Sequence, residues 1–397
     1  MTYHSHASII PLIGGEALAS EKAFGVKPKY IMSYDVFKNN DAHLLNHYNN
    51  SVPYYVLDKG DNVNEYVDVV SSVCPCAGLS QLSNTHSASN PANDWMYKST
   101  TYVLENVKPK VLWGENAPLF GSNAGKPVRD KLYEIAKQNG YTMTTYITKS
   151  LFHGVPQVRK RSFYFFWKGN RTPLLNYFNK ELVPIEGLLS QTPNFGGELD
   201  QVTNVKVPTE NPYYKYVLEE IHPSWSHQDF QQSLDVSVQI LDYIESKTDY
   251  ASLANYFLKK GNEKEYKKCM YRYEKLNSGG SIMKREPVIP AGYIGAFVGH
   301  MPVSVVHPLE DRFLTYRECM AIMGLPYEYE LLEPKKNLNH VCQNVPFDTA
   351  YDMASEVKAA LDGKREWIDA TNVFQTNYKK QHEIWDENRS SLESFFE

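Results

Sequence analysis

The sequence predicts an α/β protein: a doubly wound, mostly parallel sheet with helices on both faces, joined to a second, smaller domain. Three observations carry this. Apolar, β-branched runs of strand length alternate with segments of helical periodicity from 7 to 168. Several of those runs end in glycine, aspartate or a Pro-Cys pair, where parallel sheets deliver functional groups. From about 169 Pro, Asn, Tyr and Gly scatter without period, and order returns near 307.

With 397 residues, 42% hydrophobic and 22% charged, the chain has room for one large domain and a smaller one. A net charge of −5 argues against indiscriminate coating of nucleic acid, so phosphate contact must come from local basic patches. The 29 Tyr, 17 Phe and 6 Trp can stack on bases or fill cores, the second use being commoner. Five cysteines, at 74, 76, 269, 319 and 342, form no CxxC pair; their odd number suits a reducing cytosol and argues against zinc. Met1–His6 lacks a basic region followed by an apolar one, and no run approaches about 18 apolar residues. Neither signal peptide nor membrane span is expected, and the cytoplasm is the expected compartment.

Residues 7–19 read as a short strand, the Gly14-Gly15 turn and the start of a helix, as nucleotide-binding sheets begin. The strand Tyr30–Tyr34 ends in Asp35, about 20 residues after the glycines, where an acid either holds ribose hydroxyls or caps a turn. Val56-Leu57-Asp58 repeats the pattern. The run 66–73 reads as a buried parallel strand leading into Cys74-Pro75-Cys76-Ala77-Gly78-Leu79-Ser80. Pro75 fixes φ and Gly78 allows close backbone approach, which suits a rigid loop presenting one thiol. Two buried structural cysteines are the plainer reading, and the spacing does not overturn it.

A helix is predicted over 93–108, then a strand 110–113 ending at Gly114-Glu115-Asn116. Pro127 opens a helix with Val128, Leu132, Ile135 and Ala136 on one face, closed by Gly140. Strands follow at 141–149 and 162–167, separated by Gln157-Val158-Arg159-Lys160-Arg161. In the irregular part, 259–285 interleaves Lys267, Lys268, Arg272 and other cations with tyrosines, either as a solvated helix face or as a phosphate-contacting one. Thr315 and Glu318 form a capping box for a helix closed by Gly324, and 347–361 reads as an amphipathic helix closed by Gly363.

Taken in order, these residues resemble the DNA cytosine-5 methyltransferase family, of phage and bacterial type, over roughly 7–168 and 307–362. Pro75-Cys76 with Gly78 and Ser80 is similar to its nucleophile loop, Glu115-Asn116 to its Glu-Asn-Val motif, and Gln157-x-Arg159-x-Arg161 to its Gln-x-Arg-x-Arg motif. Leu314-Thr315 with Arg317-Glu318 and Gly324-Leu325-Pro326 resembles the ninth motif, and Asn344-Val345-Pro346 the tenth. Departures are Leu12 for a glycine of the cofactor loop, Asp35 for a longer acid, Ala77 for Gln, Ala117 for Val and Gln343 for Gly. A literal Glu105-Asn106-Val107 also occurs, but inside the predicted helix, so Glu115 is preferred.

The resemblance implies a Rossmann-like methyltransferase domain at 1–168, completed by 306–363, a target-recognition domain at 169–305 and a tail at 364–397. It implies S-adenosylmethionine as cofactor, held by Ile13, Gly14, Gly15, Asp35, Asp58, Pro75, Asn344 and Val345. Cys76 would add to carbon 6 of a flipped cytosine in double-stranded DNA, Glu115 would act at N3, and Arg159 or Arg161 would grip the carbonyl oxygen. Ser80, Asn116, Gln157, Lys267, Lys268 and Arg272 would complete the substrate site. No metal and no membrane are expected, and the protein is expected to act as a monomer. The rival readings are a tRNA cytosine-5 methyltransferase and a catalytically silent DNA-binding relative.

Overall fold

Runs of β-branched and aromatic residues between 6 and 168 build seven strands of one sheet: β1 (His6–Ile9), β2 (Ile31–Ser33), β3 (Tyr54–Val56), β4 (Val69–Val73), β5 (Val111–Asn116), β6 (Tyr141–Lys149) and β7 (Lys160–Lys168). The structure is a computed structural model that describes residues 3–75, 78–79, 87–282, 284, 286–299, 301–370 and 379–380. The strand order is β6-β7-β5-β4-β1-β2-β3, with Lys379–Lys380 added beside β6. Neighbours are parallel except around β7, which runs antiparallel to both β5 and β6. The connection from β6 to β7 spans only 150–159 and needs no crossover, which permits the antiparallel turn. Every residue of β4 and β5 is buried, and their near-continuous apolar runs reflect two covered faces.

The helices are α1 (Gly15–Phe24), α2 (Lys38–His47), α3 (Asp94–Tyr102) and α4 (Lys126–Gln138). In α4 Pro127 occupies the first turn, Val128, Leu132, Tyr133 and Ala136 are buried, and Gly140 follows at φ 76°. From β1 the chain winds outward to β2 and β3, then returns to β4 on the other side of β1. The strand order therefore reverses between β1 and β4, and their carboxyl ends open the crevice where such sheets bind ligands.

The chain forms two compact units, one of residues 1–182, 323–332 and 340–397, the other of 183–322 and 333–339. Segment 169–182, irregular in sequence, falls in the first: Arg171–Pro173 pairs antiparallel with Trp367–Asp369. In the same unit the helix Phe347–Leu361 packs along α1, burying Ala350, Met353, Ala354 and Val357. Asp352 on that helix meets His153 Nδ1 at 2.8 Å and Lys180 Nζ at 2.6 Å.

The second unit is mainly helical. Asp249 and Asn262 cap the helices Tyr250–Lys259 and Glu263–Asn277, accepting from the amides of Ser252 and Glu265. Its core gathers Tyr213, Tyr214, Phe230, Leu241, Leu253, Phe257 and Ile289. The buried tyrosines keep polar partners: Tyr213 donates to Glu265 at 2.6 Å, and Tyr214 pairs with His227 Nδ1 at 2.7 Å. The expected capping box is present, with Glu318 N donating to Thr315 Oγ1 at 3.1 Å and Thr315 N to Glu318 Oε2 at 2.8 Å. Among the described residues no helix is long and apolar enough to cross a membrane.

Candidate active site

Strand β5 positions the acid. A Cβ on Gly114 would lie 2.4 Å from Tyr164 Oη and 2.5 Å from the Ser72 carbonyl, so only glycine lets β5 lie this close to β4 and β7. In register, Ser72 faces Gly114 and Val73 faces Glu115, so β4 hands its chain to Cys74 and Pro75 at the edge where Glu115 ends β5. Glu115 is 2% exposed, and Arg161 Nε lies 3.2 Å from its Oε2. Neither atom completes a hydrogen bond, so the contact is an ion pair with the N–H directed elsewhere. Burial raises the Glu115 carboxyl above its ordinary range, opposed by Arg161 and then Arg159.

The two arginines differ in their partners. Arg159 Nη2 donates to the Cys342 carbonyl at 2.7 Å, tying this segment to the stretch before Asn344. Arg161 is the one in contact with Glu115, and its Nη1 donates to the Lys160 carbonyl at 2.9 Å. Gln157 is fully buried, with Nε2 3.4 Å from Met323 Sδ. Asn116 fixes the turn after β5: its Oδ1 accepts from Ala117 N at 2.8 Å and its Nδ2 approaches Met96 Sδ at 3.1 Å. Glu105 lies exposed in the helical turn Val103–Val107 that continues α3.

Cys76 and Ser80 lie outside the described residues. Beside them, Cys74 is buried with Ser72 Oγ at 3.3 Å and Ser99 Oγ at 3.2 Å, and burial pushes its thiol up, away from the reactive thiolate. A Cβ on Gly78 would lie 2.4 Å from Asn93 Oδ1, so this turn presses on the segment entering α3.

After β1 the backbone takes positive φ at Ile10 (51°), Leu12 (51°) and Gly14 (90°). Leu12 thus keeps a glycine-like conformation, at a cost of roughly 1–2 kcal/mol. It is held there by α2: Leu12 N donates to Asp41 Oδ1 at 3.1 Å, and Tyr54 Oη donates to Asp41 Oδ2 at 2.8 Å. Burial raises Asp41 to about 7. Ile13 O accepts from Tyr329 Oη at 2.6 Å. A Cβ on Gly15 would stand 3.1 Å from Asn344 Nδ2 and 3.4 Å from Val345 O, so the Gly-Gly turn and the Asn344-Val345 segment close on each other. Asp35 and Asp58, both exposed, end β2 and β3 side by side; Asp35 N donates to Asp58 Oδ1 at 2.9 Å, and Lys59 pairs with Asp35 at 3.1 Å.

Three residues near this crevice were not expected from the sequence. Half-buried Trp95 on α3 sets its ring 4.9 Å from Tyr34 and 5.1 Å from Phe37, flanking Asp35. Asp41 supports Leu12. Glu16 in the first turn of α1 is fully buried, and neither of its oxygens has a hydrogen bond. A charge directly after Gly14-Gly15 in an otherwise apolar run was the signal for Glu16. Paired acids for hydroxyls, glycines without room for a side chain, an aromatic ring and an unbonded carboxyl together fit S-adenosylmethionine, which presents a ribose, a base and positive charge.

In the second unit, Lys267 is exposed and pairs with Glu263 at 2.7 Å; Lys268 pairs with Glu265 at 2.7 Å. Arg272 lies over the Tyr213 ring at 5.0 Å, with Nη2 3.5 Å from Glu286. Among the described residues no group of three or more His, Cys, Asp or Glu could hold a metal ion.

The fold has solved counterparts. A prophage-encoded DNA modification methyltransferase from E. coli matches with a TM-score of 0.57 at 14% identity, covering 90% of this chain and 99% of that one. The methyltransferase EhMeth of Entamoeba histolytica matches with 0.51 at 14% identity, covering 91% and 99%. A DNMT2 mutant of Spodoptera frugiperda matches with 0.50 at 11% identity, covering 89% and 99%. No curated protein matches the sequence. The C-5 cytosine-specific DNA methylase family matches over residues 13–359, most of the chain. This protein therefore belongs to the C-5 cytosine-specific DNA methylase family, whose chemistry is transfer of a methyl group from S-adenosylmethionine to carbon 5 of cytosine.

Proposed function

We propose that this protein methylates carbon 5 of a flipped-out cytosine in duplex DNA through a covalent adduct with Cys76. The observation that carries the reading is the pairing of Val73 with Glu115, which puts the chain leading into Pro75-Cys76 beside a buried acid that meets Arg161. Carbon 5 of cytosine is a poor nucleophile until a thiolate adds at carbon 6, and Cys76 takes that role. Glu115, whose carboxyl burial raises above its ordinary range against the pull of Arg161 and Arg159, hydrogen-bonds or protonates N3 and relieves the charge that the addition creates. Arg161 orients Glu115 and offers its remaining N–H groups to the cytosine carbonyl oxygen, while Arg159 fixes the loop through Cys342. The residues that would hold the cofactor are Ile13, Gly14, Gly15, Asp35, Asp58, Asn344 and Val345, with Trp95 beside the acids. S-adenosylmethionine, when bound, supplies the electrophilic methyl group.

Carbon 6 is inaccessible in a stacked duplex, so the base must leave the helix. The compact unit 183–322 is assigned to holding the opened DNA, with Lys267 its most exposed cation among those named above. The prophage origin of a DNA-modifying structural counterpart supports DNA over RNA. A duplex carrying 5-fluorocytosine tests the mechanism, since fluorine at carbon 5 blocks the final elimination. The expected result is an adduct that survives denaturation with wild type and is absent with Cys76→Ser. An adduct with tRNA but not with DNA would overturn the substrate, and adduct formation by Cys76→Ser would overturn the nucleophile.

A further inference from the structure

Glu16 is unusual for its place. It is fully buried, and among the described residues no other residue hydrogen-bonds its two oxygens and no lysine or arginine forms an ion pair with it. An uncompensated buried carboxylate is costly, and the group avoids that cost by holding its proton or by receiving a cation. Burial, and then the charge of Glu115, raise the Glu16 carboxyl well above its ordinary range; its own backbone N–H, Arg159 and Arg161 act the other way. Among the described residues the ionisable groups that act on it are Glu115 from β5, Arg161 from β7 and Arg159 from the segment before β7.

Its position joins two halves of the site. On one side it follows Gly15, whose α-carbon abuts Asn344 and Val345. On the other it feels Glu115 and both arginines. A methyl donor must bring its reactive centre to this junction, because the methyl group passes from the cofactor cradle to the base that Glu115 holds. In S-adenosylmethionine that centre is a sulfonium, positively charged; in the product S-adenosylhomocysteine it is a neutral thioether.

We propose that Glu16 recognises the sulfonium charge and so makes this enzyme prefer its methyl donor over the spent cofactor. This rests on the cofactor assignment above. Buried without a cationic partner, Glu16 favours its protonated form; as the cation arrives the carboxyl ionises and its proton passes to solvent, and loss of the methyl cation removes the reason for the charge. Binding of donor is thereby coupled to proton release, and release of product to proton uptake.

Calorimetric titration of the full-length protein with S-adenosylmethionine, S-adenosylhomocysteine and an analogue bearing an amine in place of the sulfonium tests this. Wild type should bind the two charged ligands more tightly than the neutral one. Glu16→Gln, nearly isosteric, should weaken the charged ligands by about tenfold while leaving the neutral one little changed. Repeating the wild-type titrations in buffers of different ionisation enthalpy should show proton release with S-adenosylmethionine and none with S-adenosylhomocysteine, a result that needs no variant to fold. Equal weakening of all three ligands would place Glu16 against the amino-acid end that they share and overturn the proposal. So would an unchanged profile, or donor binding without proton release. Failure of wild type to bind any of the three would instead overturn the cofactor assignment.

Discussion

Glu115 and Glu105 stand in nearly the same letters, and their surroundings separate them. Glu115 is buried at the end of β5 against Arg161, whereas Glu105 faces solvent in the last turn after α3. Glu115→Gln is expected to leave the fold intact and slow single-turnover methyl transfer by about 10²-fold, the usual scale for losing a positioned acid. Glu105→Gln should change stability by less than about 0.5 kcal/mol and leave the rate alone. Because burial raises the Glu115 carboxyl, its acid form persists to higher pH than an ordinary glutamic acid, and the rate should fall as pH rises through that raised value. The glutamine variant should lose this limb of the profile. A large rate loss from Glu105→Gln alone would remove Glu115 from the mechanism. Letter matching points to Glu105 and strand context to Glu115; the structure has Glu115 near the end of β5 and Glu105 in the helical turn after α3.

At the scale of elements, Asp41 ties the loop after β1 to α2 and β3 through Leu12 and Tyr54. Its pKa moves from 3.8 to about 7, so between those values the unfolded chain has released the proton while the folded one keeps it. Asp41 therefore contributes stability below about 4 that is lost progressively as pH rises towards about 7. Asp41→Asn, which still offers an acceptor to Leu12, should melt with a weaker pH dependence across that window, while Asp41→Ala should lose about 1–3 kcal/mol by stranding two buried donors. An unchanged pH profile in the asparagine variant would show that Asp41 is ionised throughout. Neither α2 nor this link was legible in the sequence: Lys38–His47 carries only Ala42, Leu44 and Leu45 as apolar residues and has no helical period. Strands β1, β4, β5 and β7 were legible because two covered faces demand continuous apolar runs. The pairing of Arg171–Pro173 with Trp367–Asp369 was not, because short polar strands so far apart leave no local pattern. In the site, the motif residues could be read in order, but Glu16 and Trp95 gain their meaning only from what tertiary packing sets beside them.

At the scale of the molecule, the first unit is assembled from three separate stretches of chain. The helix Phe347–Leu361 covers α1 and buries Phe347, Ala350, Met353, Ala354, Val357 and Ala360. At roughly 1.5–3 kcal/mol for each large side chain, removing it takes a major share of the 5–15 kcal/mol that keeps a domain folded. A chain ended at 339 should therefore lose cooperative melting and amide protection in β1 and α1, as read by circular dichroism and hydrogen exchange. Native-like protection of those segments would show that the helix is dispensable.

The closing of Gly15 on Asn344 and Val345 also sets a clock on synthesis. A ribosome adds roughly 5–20 residues per second, so on the order of tens of seconds separate the first strand from its last companion. Throughout that interval α1 waits without the surface that covers it, and the Gly14-Gly15 turn lacks the Asn344-Val345 segment that closes on it. Until residue 361 has been made, α1 lacks the helix Phe347–Leu361 that packs along it in the finished chain.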